Sequence, residues 1–155
     1  MLAGVQLDEH ISEQARIASE VLGVMANIIA QPVSAPWPPS EELVTAAIYF
    51  TEPWKGAMML ECVLPLAFGF TARLMSIPMP TTVDADVCDS LAELVNMIAG
   101  NFKALMPPET GISIPSVVRG RDYILQLRGS KTLSQIVFET EMGQFCLTLV
   151  GVTLK

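Results

Sequence analysis

Charged residues, and basic residues above all, are scarce in this chain of 155 residues. Only 16% of the residues are charged, with 9 Lys and Arg against 16 Asp and Glu, and the formal net charge is −7. Nucleic-acid binding requires clustered Lys and Arg to neutralise phosphates, and the basic residues here are scattered along the sequence. The composition therefore excludes nucleic acid as an expected partner.

Cysteines and long apolar runs are also in short supply. Cys62, Cys88 and Cys146 lack the short spacing of a zinc site, and an odd number argues against a complete disulfide framework. We expect them to be buried thiols in a reducing compartment. The most apolar stretch, 57–70, is interrupted by an acid and a proline and is too short to span a membrane. Since acids precede the first apolar run, no signal peptide is predicted, and the expected location is the cytoplasm.

Apolar residues are abundant, at 51% of the chain, which is enough for one domain spanning residues 1–155 with a sizeable core. Residues 8–31 carry apolar side chains at helical spacing. Asp8 is the expected cap of this helix and Pro32 its stop. The proline-rich segment 32–39 is predicted to be a surface connector.

The remaining sequence alternates between helical and strand patterns. Helices are expected over 64–76 and from Thr82, as the cap, to about Leu105; strands are expected over 44–51, 56–63, 111–118, 123–128, 133–139 and 144–154. Short turns join 44–51 to 56–63 and 133–139 to 144–154, so both pairs are predicted hairpins. The order of elements predicts an α+β fold, with helices packed against a largely antiparallel β-sheet.

The helix that begins near Thr82 has an unusual outer face. At about 100° per residue its large apolar side chains share one stripe. The opposite side carries a single row, Asp89, Glu93, Asn96 and Gly100, spaced by four, three and four residues. Gly destabilises a helix interior by about 1 kcal/mol relative to Ala, and Asn is also unfavourable. This composition indicates selection for something other than stability, although exposed acids and Asn also occur on ordinary solvated helices.

The string from Asp89 to Asn101, Asp-Ser-Leu-Ala-Glu-Leu-Val-Asn-Met-Ile-Ala-Gly-Asn, resembles the signature helix of the CheC/CheX chemotaxis phosphatases. In that family an Asp or Ser is followed four residues on by Glu, and three residues later by Asn. The segment 113–118, which contains Pro115, is similar to the proline-bearing strand of the family. Because only one Glu/Asn motif is present, the resemblance is closest to the CheX type.

The resemblance implies a phosphatase that dephosphorylates the aspartyl phosphate of a CheY-like response regulator. Asn96 would enter the regulator and orient the attacking water, and Glu93 would dock on the regulator's active-site lysine. Further partner contacts are implied for Asp89, Gly100 and Pro115. No cofactor or metal of its own is expected, since Mg²⁺ would sit in the regulator. A homodimer is also implied, and strand 144–154 would suit its interface if that strand were a sheet edge.

Two other functions stay open at this point. The chain could be a non-catalytic response-regulator-binding or flagellar-switch-like interaction module, although the intact pair of Glu93 and Asn96 argues against one. It could instead bind an apolar ligand beneath its methionines. His10 is expected to be a surface residue, and Asn101, on the flank of the row, is expected to make a structural hydrogen bond.

Overall fold

The computed structural model describes residues 4–120 and 129–152, and in these ranges three helices pack on one antiparallel sheet of seven strands. The helices are α1 (Gly4–Ala26), α2 (Leu64–Met75) and α3 (Ala85–Lys103). The strands are β1 (Gln31–Val33), β2 (Leu43–Thr51), β3 (Gly56–Val63), β4 (Gly111–Ile112), β5 (Ser116–Arg119), β6 (Ser130–Thr140) and β7 (Gly143–Val152). The predicted α+β class is confirmed. The predicted strand 123–128 lies outside the described residues.

The sheet runs in the order β1-β6-β7-β3-β2-β4, and β5 pairs with β2 on the same edge as β4. Both predicted hairpins are present, as β2 with β3 and β6 with β7. Strand β7 lies in the interior of the sheet, between β6 and β3. It is therefore not a free edge, and the idea that 144–154 pairs in a dimer is wrong.

One face of the sheet carries the core. Alternate side chains of β7, Phe145, Leu147 and Leu149, belong to the same buried cluster as the apolar sides of the three helices. The rings of Phe138 and Phe145 stack with centroids 4.5 Å apart across the β6–β7 hairpin. The spacing by two of Phe145, Leu147 and Leu149 places these side chains on one face of β7, and the side chains between them, Cys146, Thr148 and Val150, are also buried.

The first helix and the segment after it differ from the prediction. Helix α1 starts at Gly4 and stops at Ala26, because Asn27 takes a left-handed conformation (φ 54°). Asn tolerates that conformation better than most residues, so it ends a helix as glycine often does. Pro32 lies within β1, opposite Phe138 of β6, and the predicted connector 32–39 therefore begins inside an edge strand.

Helix α3 is held in place at both its start and its inner face. Asp84, not Thr82, is the cap: its carboxylate accepts a hydrogen bond from the Val87 backbone N–H at 3.0 Å. Leu91, Leu94, Val95, Ile98 and Phe102 of the predicted stripe are buried against the core, together with Val87 and Ala99. Leu105, also predicted in the stripe, is only half-buried. The helix ends at Lys103, two residues before the predicted Leu105. Its rotation about its own axis is thereby fixed.

Candidate functional site

The outer face of α3 forms one side of the candidate site. Asp89, Glu93 and Gly100 are exposed, and Asn96 is half-buried. Since the opposite side of α3 is packed into the core, this row points away from the sheet's interior as the spacing predicted. Asn101 stands beside the row, and its side-chain N–H donates to the Met97 backbone carbonyl at 2.8 Å. That is the structural hydrogen bond expected of Asn101.

The other side of the site is a bulge between β4 and β5. Phe50 of β2 pairs with Ile112, and Ala47 of β2 pairs with Ser116. The three residues 113–115 therefore lie opposite only two residues of β2, Ile48 and Tyr49. The predicted strand 111–118 is therefore two short strands with an interruption, and Pro115 lies in the interruption. Proline has no N–H to give to a ladder, which favours a break at this position. Bulges of this kind redirect side chains near functional sites.

Ser113 fastens the start of the bulge to β2. Its backbone N–H donates to the Tyr49 carbonyl at 2.8 Å, and its hydroxyl accepts from the Tyr49 N–H at 2.9 Å. The hydroxyl thus takes the place of a main-chain acceptor that a regular ladder would provide. The pairing of Ser113 with Tyr49 leaves Ile114 and Pro115 together opposite Ile48, which is the two-against-one arrangement of a β-bulge.

The helix row and the bulge face each other across an open groove of about 400 Å³. The groove is lined by Asp89, Ala92, Glu93, Asn96, Ile112, Ser113, Ile114 and Pro115. Four of the five residues singled out in the sequence therefore meet at one place. Gly100 does not line this groove; one turn further along α3, it borders a separate depression with Met106 and Pro108.

The three polar side chains on the α3 side of the groove have no protein partner within the described part of the chain. Neither Asp89 nor Glu93 forms an ion pair in residues 4–120 and 129–152, whereas Glu42 and Glu141 pair with arginines. The amide of Asn96 likewise has no hydrogen-bond partner in those ranges. The site therefore offers two carboxylates and one free amide to whatever approaches it.

The cysteines do not supply a reactive group to this site. Cys62 and Cys146 are buried as predicted, but Cys88, one residue before the row, is only half-buried. Burial raises the pKa of Cys146 to about 12 and raises that of Cys62 as well. Burial, together with the nearby carboxylates of Asp89 and Asp84, raises the pKa of Cys88. Because thiolates are the nucleophilic form, all three thiols are poor nucleophiles at neutral pH.

The rest of the described chain holds neither a metal-ion cluster nor a membrane-spanning helix. Within 4–120 and 129–152, no group of three or more His, Cys, Asp or Glu side chains is placed to hold a metal ion. No helix among these residues is both long and apolar enough to cross a bilayer. The side chain of His10 falls outside the described part, so the prediction that it is a surface residue is untested.

The family model "Chemotaxis phosphatase CheX" matches residues 44–139, well over half of the chain. The matched segment includes the hairpin of β2 and β3, all of α3, and the bulge. This chain belongs to the CheX family. The resemblance seen in the sequence is thereby confirmed, including its CheX type. A search of curated proteins gave no significant match.

Solved structures of low sequence identity share the CheX fold. The chemotaxis protein CheX from Vibrio vulnificus aligns with a TM-score of 0.76 at 18% identity, covering 91% of this chain and 95% of that one. A CheX-CheY-BeF3-Mg²⁺ complex from Borrelia burgdorferi aligns with a TM-score of 0.70 at 19% identity, covering 92% and 96%. The FliM middle domain from H. pylori aligns with a TM-score of 0.66 at 13% identity, covering 97% and 93%.

Sequence reasoning missed one component of the site in this CheX-family chain. Ile112, Ser113 and Ile114 line the groove, but only Pro115 was expected to contact a partner from this side. The available signal was the proline itself, because an Ile-Pro step inside an apparent strand marks a break in the ladder. Which side chains that break turns toward α3 depends on pairing with β2, more than 60 residues earlier in the chain.

Proposed function

We propose that this protein hydrolyses the aspartyl phosphate of a CheY-like response regulator, with Asn96 orienting the attacking water and Glu93 docking on the regulator's active-site lysine. The observation that carries this proposal is the groove opposite the bulge at Pro115, in which Asp89, Glu93 and Asn96 have no partner among the described residues. Membership of the CheX family supports the reaction class. Such a regulator is a cytoplasmic protein, so the cytoplasm is the proposed place of action.

The role proposed for Asn96 is to position the attacking water. An aspartyl phosphate is a mixed anhydride; water attacks phosphorus, the bond from phosphorus to the aspartate oxygen breaks, and inorganic phosphate leaves. Phosphoryl transfer depends largely on an in-line nucleophile and on charge stabilisation. An amide suits the first requirement because its C=O accepts a hydrogen bond from water while its NH₂ donates to a second group. Mg²⁺ in the regulator would supply the second requirement.

The role proposed for Glu93 is to fix the position of the bound regulator through a charge interaction. Glu93 lies three residues before Asn96, one turn away on the same helix face, and the Cβ atoms of such a pair are about 5–6 Å apart. A lysine from the regulator bound to Glu93 would therefore fix where Asn96 enters. Asp89, one further turn away, would lie at the edge of the contact, where a charge changes encounter rate more than affinity.

The test is a dephosphorylation assay on a chemotaxis receiver domain from the same organism. The receiver is phosphorylated with acetyl phosphate, freed of the donor, and followed with and without this protein in the presence of Mg²⁺. We expect phosphate loss that is accelerated in proportion to protein concentration. If several receivers from that organism bind the protein but decay at their intrinsic rates, the chain is the alternative, a non-catalytic response-regulator-binding or flagellar-switch-like module.

Replacing Gly100 by alanine distinguishes an effect on receiver binding from an effect on the stability of the fold. A Cβ built at Gly100 meets nothing within 4 Å, so packing inside the chain does not require glycine. Gly100→Ala is expected to stabilise the protein by about 0.5–1 kcal/mol. If a partner's backbone passes close to this turn, the same change should weaken receiver binding. Chemical denaturation and titration with the receiver measure the two effects.

Gly23 is the matched control for Gly100. It is an exposed glycine near the end of α1, and a Cβ there also meets nothing within 4 Å. Gly23→Ala should stabilise the chain without affecting receiver binding. Equal binding by both variants would remove Gly100 from the contact surface.

We also propose that the protein forms a homodimer, as the resemblance implies. Since β7 is an interior strand, a dimer joined at an edge of the described sheet would use either the side formed by β1 and the part of β6 that β1 does not cover, or the side formed by β4 and β5. The side formed by β4 and β5 borders the groove, so we favour the side formed by β1 and β6. Light scattering on the purified chain distinguishes one protomer from two.

A further inference from the structure

Ile114 has the most exposed large apolar side chain in the described part of the protein, at 90%. Single exposed apolar residues are common on protein surfaces and by themselves indicate nothing. Ile114 differs from the others in its position, because it shares the groove with Glu93 and Asn96.

The backbone on both sides of Ile114 is fixed. Ser113 makes two hydrogen bonds to Tyr49, and from Ser116 onward β5 is paired with β2. Pro115 restricts the residue before it to extended conformations. The isoleucine is therefore held outward by a fixed bulge, and little conformational entropy would be lost if it were buried against a partner.

The groove has two chemically different sides. The α3 side presents the carboxylates of Asp89 and Glu93. The opposite side presents the apolar side chains of Ile114 and Pro115 in the bulge and of the half-buried Ile112 in β4. A matching partner surface must place a cation beside an apolar patch. The groove is open along its length, which suits the surface of a folded domain better than a small molecule.

We propose that Ile114 is a docking residue that buries itself in an apolar patch beside the phosphorylated aspartate of the response regulator, and that it sets affinity for the receiver and choice among receivers. The inference rests on the proposed function, because it takes the receiver's active-site lysine as the cation opposite Glu93. A few well-buried residues near the centre of an interface usually carry most of its binding energy. Ile114 takes no part in the chemical step.

The experiment compares Ile114→Ala, Ile114→Asp and the conservative Ile114→Met. Binding is measured by fluorescence titration with a receiver domain loaded with beryllofluoride and Mg²⁺, a stable mimic of the phosphorylated form. Turnover is measured separately on the acetyl-phosphate-labelled receiver. We expect Ile114→Ala to raise Kd and KM about tenfold with kcat unchanged. Ile114→Asp should raise them further, and Ile114→Met should stay within about threefold of wild type.

Ile29→Ala is the matched control, since it truncates the same residue type at a site 75% exposed. Ile29 precedes β1, at the edge of the sheet opposite the one that carries Ile114. This control should leave Kd and KM unchanged. Because both side chains are exposed, all variants are expected to fold, and thermal melts verify it.

The outcomes separate this inference from the proposed function. If wild type accelerates dephosphorylation and Ile114→Ala has the Kd and KM of wild type, the docking role is wrong and the phosphatase proposal is intact. A lower kcat with unchanged Kd also overturns the docking role. If wild type binds the loaded receiver without accelerating decay, the phosphatase proposal fails, and the Kd values for the variants still decide the role of Ile114.

Discussion

Asn96→Ala is expected to remove the acceleration of receiver dephosphorylation, with kcat falling by at least about 100-fold while receiver binding changes little. The methyl group of alanine has neither the acceptor that would hold the water nor the donor that would anchor the amide. The helix itself should gain a few tenths of a kcal/mol, because Ala has the higher helix propensity. The measurement pairs single-turnover dephosphorylation with titration by the beryllofluoride-loaded receiver.

Asn101→Ala is the control that makes this result specific. Asn101 is an exposed asparagine on the same helix, five residues further on, and its amide is engaged with the Met97 carbonyl. Its loss should leave kcat and Kd near wild type. If Asn101→Ala impairs catalysis as much as Asn96→Ala does, the water is not positioned by Asn96 alone. If Asn96→Ala keeps full activity, the proposed mechanism is wrong.

Glu93→Gln is expected to act on binding, raising KM and Kd about 30-fold with kcat largely retained. The amide keeps the size of the side chain but removes the charge that would pair with a lysine. Breaking a desolvated charge pair leaves the lysine unpaired, which is why the expected effect exceeds that of an exposed ion pair. The salt dependence of the wild-type association rate should weaken in parallel, as stopped-flow binding would measure.

Glu41→Gln controls for net charge. Glu41 is exposed in the loop before β2 and lies outside the groove, so its replacement makes the same change in overall charge. Equal losses of receiver affinity in the two variants would mean that the acidic surface attracts the receiver only through its overall negative charge. A large fall in kcat with unchanged Kd for Glu93→Gln would assign Glu93 to the chemical step instead.

The helical half of the candidate site could be predicted because its information is local. A row and a stripe on one helix follow from the 3.6-residue period, and burial of Leu91 and Phe102 fixes which way the row faces. Local sequence was not sufficient to predict which residue caps the start of α3. Thr82 and Asp84 both have capping side chains, and only the turn that leads into the helix decides that Asp84 bonds to Val87.

The other half of the site, and the edges of the sheet, depend on pairing between distant segments. Strand β1 is short and centred on Pro32, so nothing in its own sequence favours a strand. It exists because Phe138 and its neighbours on β6 offer a partner more than 100 residues later. The bulge at Ile114 has the same origin, since a one-residue excess is defined only relative to β2.

The bulge also constrains how this family can diversify. Deleting one residue between Ile112 and Ser116 would let β4 and β5 continue as one regular strand on β2, with the existing register kept on both sides. Such a chain would keep its core, helix α3 and Asn96, and would lose only the bulge that forms the apolar side of the groove. A single-codon deletion would therefore produce a folded protein with altered partner choice, while substitution at position 114 would tune that choice. Paralogues serving different regulators in one cell are thus expected to differ in the identity or the presence of this one residue, with the helix motif left intact.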